Sequence, residues 1–77
     1  MNFVTLPELG EGIEKAIVAG WHYKVGDRVQ QDDDVLEVVT DKAVFNVAAG
    51  ASGTLRQIFV RDGQEVKIGE VLGEIES

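Results

Sequence analysis

The chain has 77 residues, no cysteine and a formal net charge of −7, from seven basic and fourteen acidic side chains. This length allows one small domain with a thin core, and the lack of cysteine excludes disulfide scaffolds, thiol nucleophiles and four-cysteine zinc sites. The negative charge repels phosphate backbones and anionic lipids, and no apolar run approaches the roughly 20 residues that span a bilayer. We therefore expect one domain over residues 1–77 that binds neither nucleic acid nor membrane.

The predicted elements, in chain order, are short β-strands. Nine glycines and one proline interrupt the chain too often for an apolar helical period to continue over three turns. Runs of β-branched and aromatic residues between these breaks predict strands at residues 3–6, 16–24, 34–40, 43–48, 54–61 and 70–76, with short pieces at 28–29 and 65–66. The sequence therefore indicates an all-β fold.

The second half of the chain repeats the first half at an offset of 37 residues, without a gap. KVGDRV (residues 24–29) lies over RDGQEV (residues 61–66), and Glu37 lies over Glu74. Two halves of the same design would pair around a pseudo-twofold axis and close into a flattened barrel or sandwich with few free edges. The expected core consists of Val18, Trp21, Leu36, Val38, Val47, Leu55, Ile58, Val66, Leu72 and Ile75.

A single lysine, Lys42, lies in a short polar break, TDKA (residues 40–43), between two apolar runs. The Thr40 hydroxyl and the Asp41 carboxylate can accept hydrogen bonds from the backbone amides that follow, and the small Ala43 leaves the lysine unobstructed. An exposed lysine is charged at neutral pH and is a poor nucleophile, and the neighbouring sequence offers nothing to activate it. We therefore predict that Lys42 is presented to a modifying enzyme and is not itself catalytic.

Three other signals are interpreted as structural. The acidic residues 32–34 lack the spacing of a calcium loop, so we predict a solvated turn and no metal site. The glycine-rich residues 10–12 do not lead from a strand into a helix, which argues against a phosphate-binding loop. His22 alternates with Trp21 and Tyr23, so we expect it to be exposed, and the chain offers it no convincing partners for a catalytic triad.

Five segments carry a resemblance to a known family: LPELGEGI (residues 6–13), GDRV (26–29), TDKA (40–43), GASGT (50–54) and GQEV (63–66). Together they resemble the lipoyl domain of the dihydrolipoamide acyltransferase (E2) component of 2-oxo acid dehydrogenase complexes. The resemblance covers nearly the whole chain. It implies two four-stranded antiparallel sheets that are related by a pseudo-twofold axis.

The resemblance also implies the site residues. Lys42 matches the lysine that carries lipoic acid in amide linkage, and Thr40, Asp41 and Ala43 match the hairpin that the attaching enzyme recognises. A loop beside the hairpin is implied to help E1 recognise the domain, and its residues are Glu8, Leu9, Gly10, Glu11, Gly12 and Ile13.

The implied activity is that of a carrier, which is not an enzyme by itself. The lipoyl group would be attached by a lipoate-protein ligase or a lipoyl/octanoyl transferase. It would accept an acyl group from the thiamine-diphosphate enzyme E1, deliver it to the E2 acyltransferase core for transfer to coenzyme A, and be reoxidised by E3, dihydrolipoamide dehydrogenase. LPELGEGI (residues 6–13) and WHYK (residues 21–24) favour a pyruvate or branched-chain complex.

The end of the last predicted strand near Ser77 predicts that this is the N-terminal domain of a longer E2 chain. We expect the isolated domain to be monomeric. A prokaryotic protein of this kind would be cytoplasmic, which we favour, and a eukaryotic one would lie in the mitochondrial matrix.

Two positions depart from the family's pattern, and two alternatives remain open. Val39 stands where a glutamate is usual, and Asp32 stands where a glycine is usual. A biotinyl carrier domain has the same fold and the same displayed lysine, but it normally has methionines on both sides of that lysine, where this chain has Asp41 and Ala43. In an unmodified scaffold of the same fold, Lys42 would only keep the turn soluble.

Overall fold

The computed structural model describes all residues, Met1–Ser77, and contains eight β-strands in two four-stranded antiparallel sheets. The strands are β1 (Asn2–Thr5), β2 (Lys15–Trp21), β3 (Arg28–Val29), β4 (Asp34–Val39), β5 (Val44–Ala48), β6 (Gly53–Ile58), β7 (Glu65–Lys67) and β8 (Val71–Glu76). One sheet has the strand order β1-β8-β6-β3 and the other β5-β4-β2-β7. The predicted all-β fold is confirmed, and no helix of the length and apolarity needed to cross a bilayer is present.

The internal repeat of the sequence is also a repeat of strand pairing. Val18 faces Val38 where β2 pairs with β4, and Leu55 faces Ile75 where β6 pairs with β8. The register shifts just after Val18 in the first pair and just after Leu55 in the second. Each sheet contains two strands from the first half (β1–β4) and two from the second half (β5–β8). When each strand is replaced by its equivalent in the other half, the strand order of one sheet becomes that of the other. This arrangement is the expected pseudo-twofold symmetry.

The two halves differ in the connection that follows their first strand. Residues 6–14 connect β1 to β2, whereas only residues 49–52 connect β5 to β6. The hydrogen bonds that anchor these connections correspond, since Leu6 N donates to Glu70 O and Ala49 N donates to Asp33 O. The extra length of the first connection is therefore a local insertion into an otherwise repeated design.

The core lies between the sheets and contains 15 buried apolar residues. Eight of the ten expected core residues are buried, whereas Trp21 and Ile58 are half-buried and pack against the core. Trp21 and Ile58 are the last residues of β2 and β6, so each packs at the edge of the core and remains partly exposed. The buried residues that the sequence pattern missed are Val4, Leu6, Ala16, Val29, Val35, Ala49 and Val60.

Strands β2 and β6 end three residues earlier than expected. Lys24 N donates to Asp27 Oδ2 at 2.8 Å, and at the equivalent place Arg61 N donates to Gln64 Oε1 at 3.1 Å. A side chain thus supplies the acceptor that a neighbouring strand would otherwise supply, which favours a turn over continued pairing. Both turns carry the chain from one sheet to the other.

Trp21 and Gly73 are complementary in size across the core. A Cβ atom at Gly73 would lie 2.9 Å from Trp21 Cη2 and 2.9 Å from Gln57 O. Trp21 pairs with Leu36 in β2–β4, whereas the equivalent pair in β6–β8 is Ile58 and Gly73. The first half therefore supplies two large side chains, and the second half makes room for the indole ring.

We predict that Gly73→Ala lowers the free energy of unfolding by about 1–3 kcal/mol, because overpacking displaces the indole ring or the backbone of β6. Urea denaturation would measure the loss. Gly20→Ala is the control, since nothing lies within 4 Å of its added Cβ atom, and it should change stability by less than about 0.5 kcal/mol. Equal stability of the two variants would contradict this account of the core.

The phenol of Tyr23 reports on the acidic turn before β4. Its partial burial, followed by the nearby charge of Asp33, raises the pKa of Tyr23 above its usual value of about 10. The neutral phenol is therefore favoured in the folded state. This contribution to stability is complete below about pH 10 and is lost as the pH rises through the folded-state pKa.

We predict that the tyrosinate absorbance of the folded domain appears at a higher pH than that of the urea-unfolded chain, and that Asp33→Asn removes part of the difference. Tyr23 is the only tyrosine, so the titration is unambiguous. Asp32→Asn is the control, because Asp32 is not among the charges that raise this pKa. Identical titrations for the folded and unfolded chains would refute the assignment.

Candidate functional site

The hairpin between β4 and β5 is closed by a threonine side chain. Thr40 N donates to Ala43 O at 2.9 Å, which leaves Asp41 and Lys42 as a two-residue tip. Tight two-residue hairpin turns usually need positive φ angles, but no residue other than glycine has one here. The Thr40 hydroxyl compensates, because Oγ1 accepts from Lys42 N at 3.2 Å and from Ala43 N at 3.1 Å and donates to Ala43 O at 3.1 Å.

Lys42 is exposed at this tip and takes part in neither of the two ion pairs, which join Lys15 to Glu65 and Arg56 to Glu76. The expected hydrogen bond from a following amide to the Asp41 carboxylate is not formed, because the Thr40 hydroxyl takes both amides. The Lys42 amine is thus displayed on a fixed backbone and has no anionic partner. Such an amine is accessible to an enzyme that acylates it.

The loop that precedes β2 lies beside the hairpin. A Cβ atom at Gly12 would lie 3.9 Å from Lys42 Nζ, and Gly12 has a φ of +82°, which favours glycine. Any other residue here would be strained and would place a side chain against the lysine amine. The longer connection of the first half therefore passes beside the displayed lysine, which is where the loop was predicted to lie.

The other residues of this loop divide into anchors and exposed charges. Leu9 is half-buried and packs against the core, and Ile13 is also half-buried. Ile13 Cδ1 lies 3.5 Å from the position that a Cβ atom at Gly10 would take. Glu8, Glu11 and Glu14 are exposed, so they are the side chains of the loop that a partner could contact through charge.

A surface cavity of about 430 Å³ opens between the loop and the hairpin. Residues 12–17 line it, with Thr40 and Asp41 on one side of β2 and Glu65 on the other side. Glu65 reaches this site because β7 pairs with β2, with Glu65 opposite Ile17. Glu65 and Ile17 were not predicted for the site from the sequence, and the pairing of β2 with β7 is what brings Glu65 beside Ile17 there.

The remaining candidates lie in ordinary surface contacts. His22 is exposed, and its Nε2 lies 3.0 Å from Asn46 Oδ1. Asp33 accepts a hydrogen bond from Gln30 N in the turn before β4. Asp32 has no positive φ, so its turn does not need the glycine that is usual there. No three His, Cys, Asp or Glu side chains are grouped so that they could hold a metal ion.

Comparison with known proteins places the chain in a family. The sequence pattern of the biotin/lipoyl family, described as "Biotin-requiring enzyme", matches residues 2–75. The succinyltransferase component of the 2-oxoglutarate dehydrogenase complex of Rickettsia typhi is 42% identical over 94% of this chain and 18% of its own length. The acetyltransferase component of the pyruvate dehydrogenase complex of Staphylococcus aureus is 35% identical over 94% of this chain and 17% of its own length. The chain thus spans less than a fifth of these relatives.

Solved structures agree with this placement. The lipoyl domain of the 2-oxoglutarate dehydrogenase complex from Azotobacter vinelandii superposes with a TM-score of 0.71 and 33% identity over 96% of each chain. The urea carboxylase of Kluyveromyces lactis superposes with a TM-score of 0.83 over 97% of this chain and 6% of that one, but at 21% identity it shows the shared fold alone. The chain therefore belongs to the biotin/lipoyl family, and within it to the lipoyl domains of E2 components of 2-oxo acid dehydrogenase complexes.

Proposed function

We propose that this domain is a carrier in which Lys42 holds lipoic acid in amide linkage. One observation carries the proposal: the Lys42 amine stands free at the tip of a hairpin that the Thr40 hydroxyl fixes, beside a glycine that leaves room for it. These residues fit the group, since an amide needs a free primary amine and space around it. Biotin is disfavoured because Asp41 and Ala43 take the places of the methionines usual in biotinyl domains.

The residues around Lys42 position the amine and do not activate it. The attaching enzyme would have to remove a proton from Nζ and supply an activated acyl group, because no neighbouring side chain pairs with this amine. Formation of the amide removes one positive charge and takes the formal net charge from −7 to −8. The hairpin contributes a constant position for the new bond.

When bound, the lipoyl group supplies the dithiolane that carries acyl groups from E1 to the E2 core and is reoxidised by E3. The domain contributes reach, because a tethered group is held at an effective concentration in the millimolar range at each active site it visits. Exposed Glu8 and Glu11 are proposed to contact E1 beside the hairpin. The relatives belong to both 2-oxoglutarate and pyruvate complexes, so the preference for a pyruvate or branched-chain complex stays a prediction.

We predict that incubation with lipoate, ATP and a lipoate-protein ligase adds the mass of one lipoyl group, located by peptide mapping on Lys42. Lys42→Arg keeps the positive charge but cannot form the amide in this reaction, so it should stay unmodified. Lys67→Arg is the matched control, since it replaces another exposed lysine, and it should be modified like the parent. An unmodified but folded parent domain, under conditions that lipoylate a known acceptor, would favour the scaffold alternative.

The lipoylated domain then separates the possible complexes. It is offered in turn to E1 enzymes specific for pyruvate, branched-chain 2-oxo acids and 2-oxoglutarate, and the rate of reductive acylation is measured. The highest kcat/KM identifies the complex. Glu8→Gln and Glu11→Gln test the loop, because loss of a contacted charge should raise KM for the cognate E1 while lipoylation by the ligase stays unchanged.

We predict that Thr40→Val slows lipoylation by about tenfold and lowers the free energy of unfolding by about 1 kcal/mol, because the hairpin loses the hydroxyl that closes it. Thr40→Ser keeps the hydroxyl and should behave like the parent. Ligase kinetics by mass spectrometry and urea denaturation are the measurements. If the valine variant were lipoylated at the parental rate, the threonine would be dispensable for presentation of the lysine.

A further inference from the structure

Three exposed apolar side chains form a row beneath the lysine hairpin. Ile17 of β2 pairs with Val39 of β4, and Val39 pairs with Val44 of β5. Directly paired residues of antiparallel strands point to the same face of the sheet. Their exposed fractions are 41%, 36% and 57%, although each is a large apolar residue on a small domain. Ile17, Val39 and Val44 are called the apolar row below.

The apolar row borders the cavity beside the hairpin, whose lining combines Ile13, Ala16 and Ile17 with the charged residues Glu14, Lys15, Asp41 and Glu65. Ile17 belongs to the row and also lines the cavity, whose wall includes Ile13 and Gly12. Lys42 Nζ lies close to Gly12, so a group bonded to this nitrogen starts at the cavity's rim. Val39 and Val44 flank the four hairpin residues that carry Lys42. A group on the lysine therefore has an apolar surface within reach on the same side of the domain.

We propose that the lipoyl arm on Lys42 has a docked state, in which it lies over the cavity and along the apolar row between visits to its partner enzymes. This inference rests on the proposed function. The lengths agree, because an eight-carbon chain with bonds of about 1.5 Å spans about 10 Å. Two strand spacings of about 4.8 Å, the distance from Ile17 to Val44 across the sheet, also make about 10 Å.

Because the arm is tethered to the domain, it can occupy a surface that is too small for a separate protein partner. Stable protein partners need on the order of 1,000 Å² of interface, which three side chains and a shallow cavity do not supply. An attached arm is present at an effective concentration in the millimolar range, so a weak apolar contact is enough to populate the docked state. Amide formation favours docking, because it replaces a strongly hydrated ammonium by a neutral group that loses less on contact with an apolar surface.

Val39 is the centre of the row, because it pairs with Ile17 on one side and with Val44 on the other. A carboxylate between Ile17 and Val44 would interrupt the apolar surface and hold water against it. The docked state therefore depends on this one residue more than on any other member of the row.

The test uses the domain after mass spectrometry has confirmed complete lipoylation of Lys42. We expect nuclear Overhauser contacts between the lipoyl methylenes and the methyl groups of Ile17, Val39 and Val44. Val39→Glu should reduce the contacts with Ile17 and Val44 by about tenfold, as expected if the arm no longer covers an apolar side chain at position 39. Val71→Glu is the matched control, since Val71 is 40% exposed on the other sheet, and it should leave the contacts unchanged.

A second readout is the rate at which a water-soluble phosphine reduces the dithiolane, which should rise about threefold or more in Val39→Glu and not in Val71→Glu. Val44→Ser serves as a milder variant if Val39→Glu unfolds, and it should shift both readouts in the same direction. Fully lipoylated parent domain without these contacts would overturn the docked state and leave the carrier function intact. Absence of a lipoyl group on Lys42 would overturn both.

Discussion

The register of β2 against β4 is the constraint on which the site depends. Because Ile17 pairs with Val39, the chain beyond Val39 extends past the end of its sheet, next to the loop that leads into Lys15. A slip of one residue would turn the buried face of β4 outward, and the burial of Val38 on that strand makes such a slip costly. The hydrophobic core thus holds the lysine hairpin and the cavity wall in a fixed relation, although neither belongs to the core.

The candidate site lies where the internal symmetry is broken. The two halves share strand registers, bulges and the side-chain hydrogen bonds that close their turns. They differ in the long connection of residues 6–14 and in the hairpin of residues 40–43, and these two segments approach each other at Gly12 and Lys42. The repeated part is a stable support, and the parts that occur once supply the displayed amine and its surroundings.

The strands, the repeat and the displayed lysine could be predicted from the sequence. The strands and the lysine hairpin follow from local composition, and the repeat follows from residues of the same type 37 positions apart. It was not sufficient for features that depend on pairing. Val35 is fully buried beside Leu36 because β4 shifts register between Asp34 and Leu36, so two adjacent residues face the core where alternation allows one. The cavity likewise needs Glu65 to lie opposite Ile17, across nearly fifty residues of chain, which no local pattern encodes.

The pairing of β1 with β8 has a consequence for chain topology. Asn2 faces Ile75 across these neighbouring strands, in the place that β4 and β5 occupy in the other sheet. The start of β1 and the end of β8 are therefore the symmetric counterpart of the two strand ends that the lysine hairpin joins. In this 77-residue domain, a short peptide bridging Ser77 to Met1 would give the molecule a second tip, equivalent to the first by the pseudo-twofold axis, on which a second lysine could be displayed.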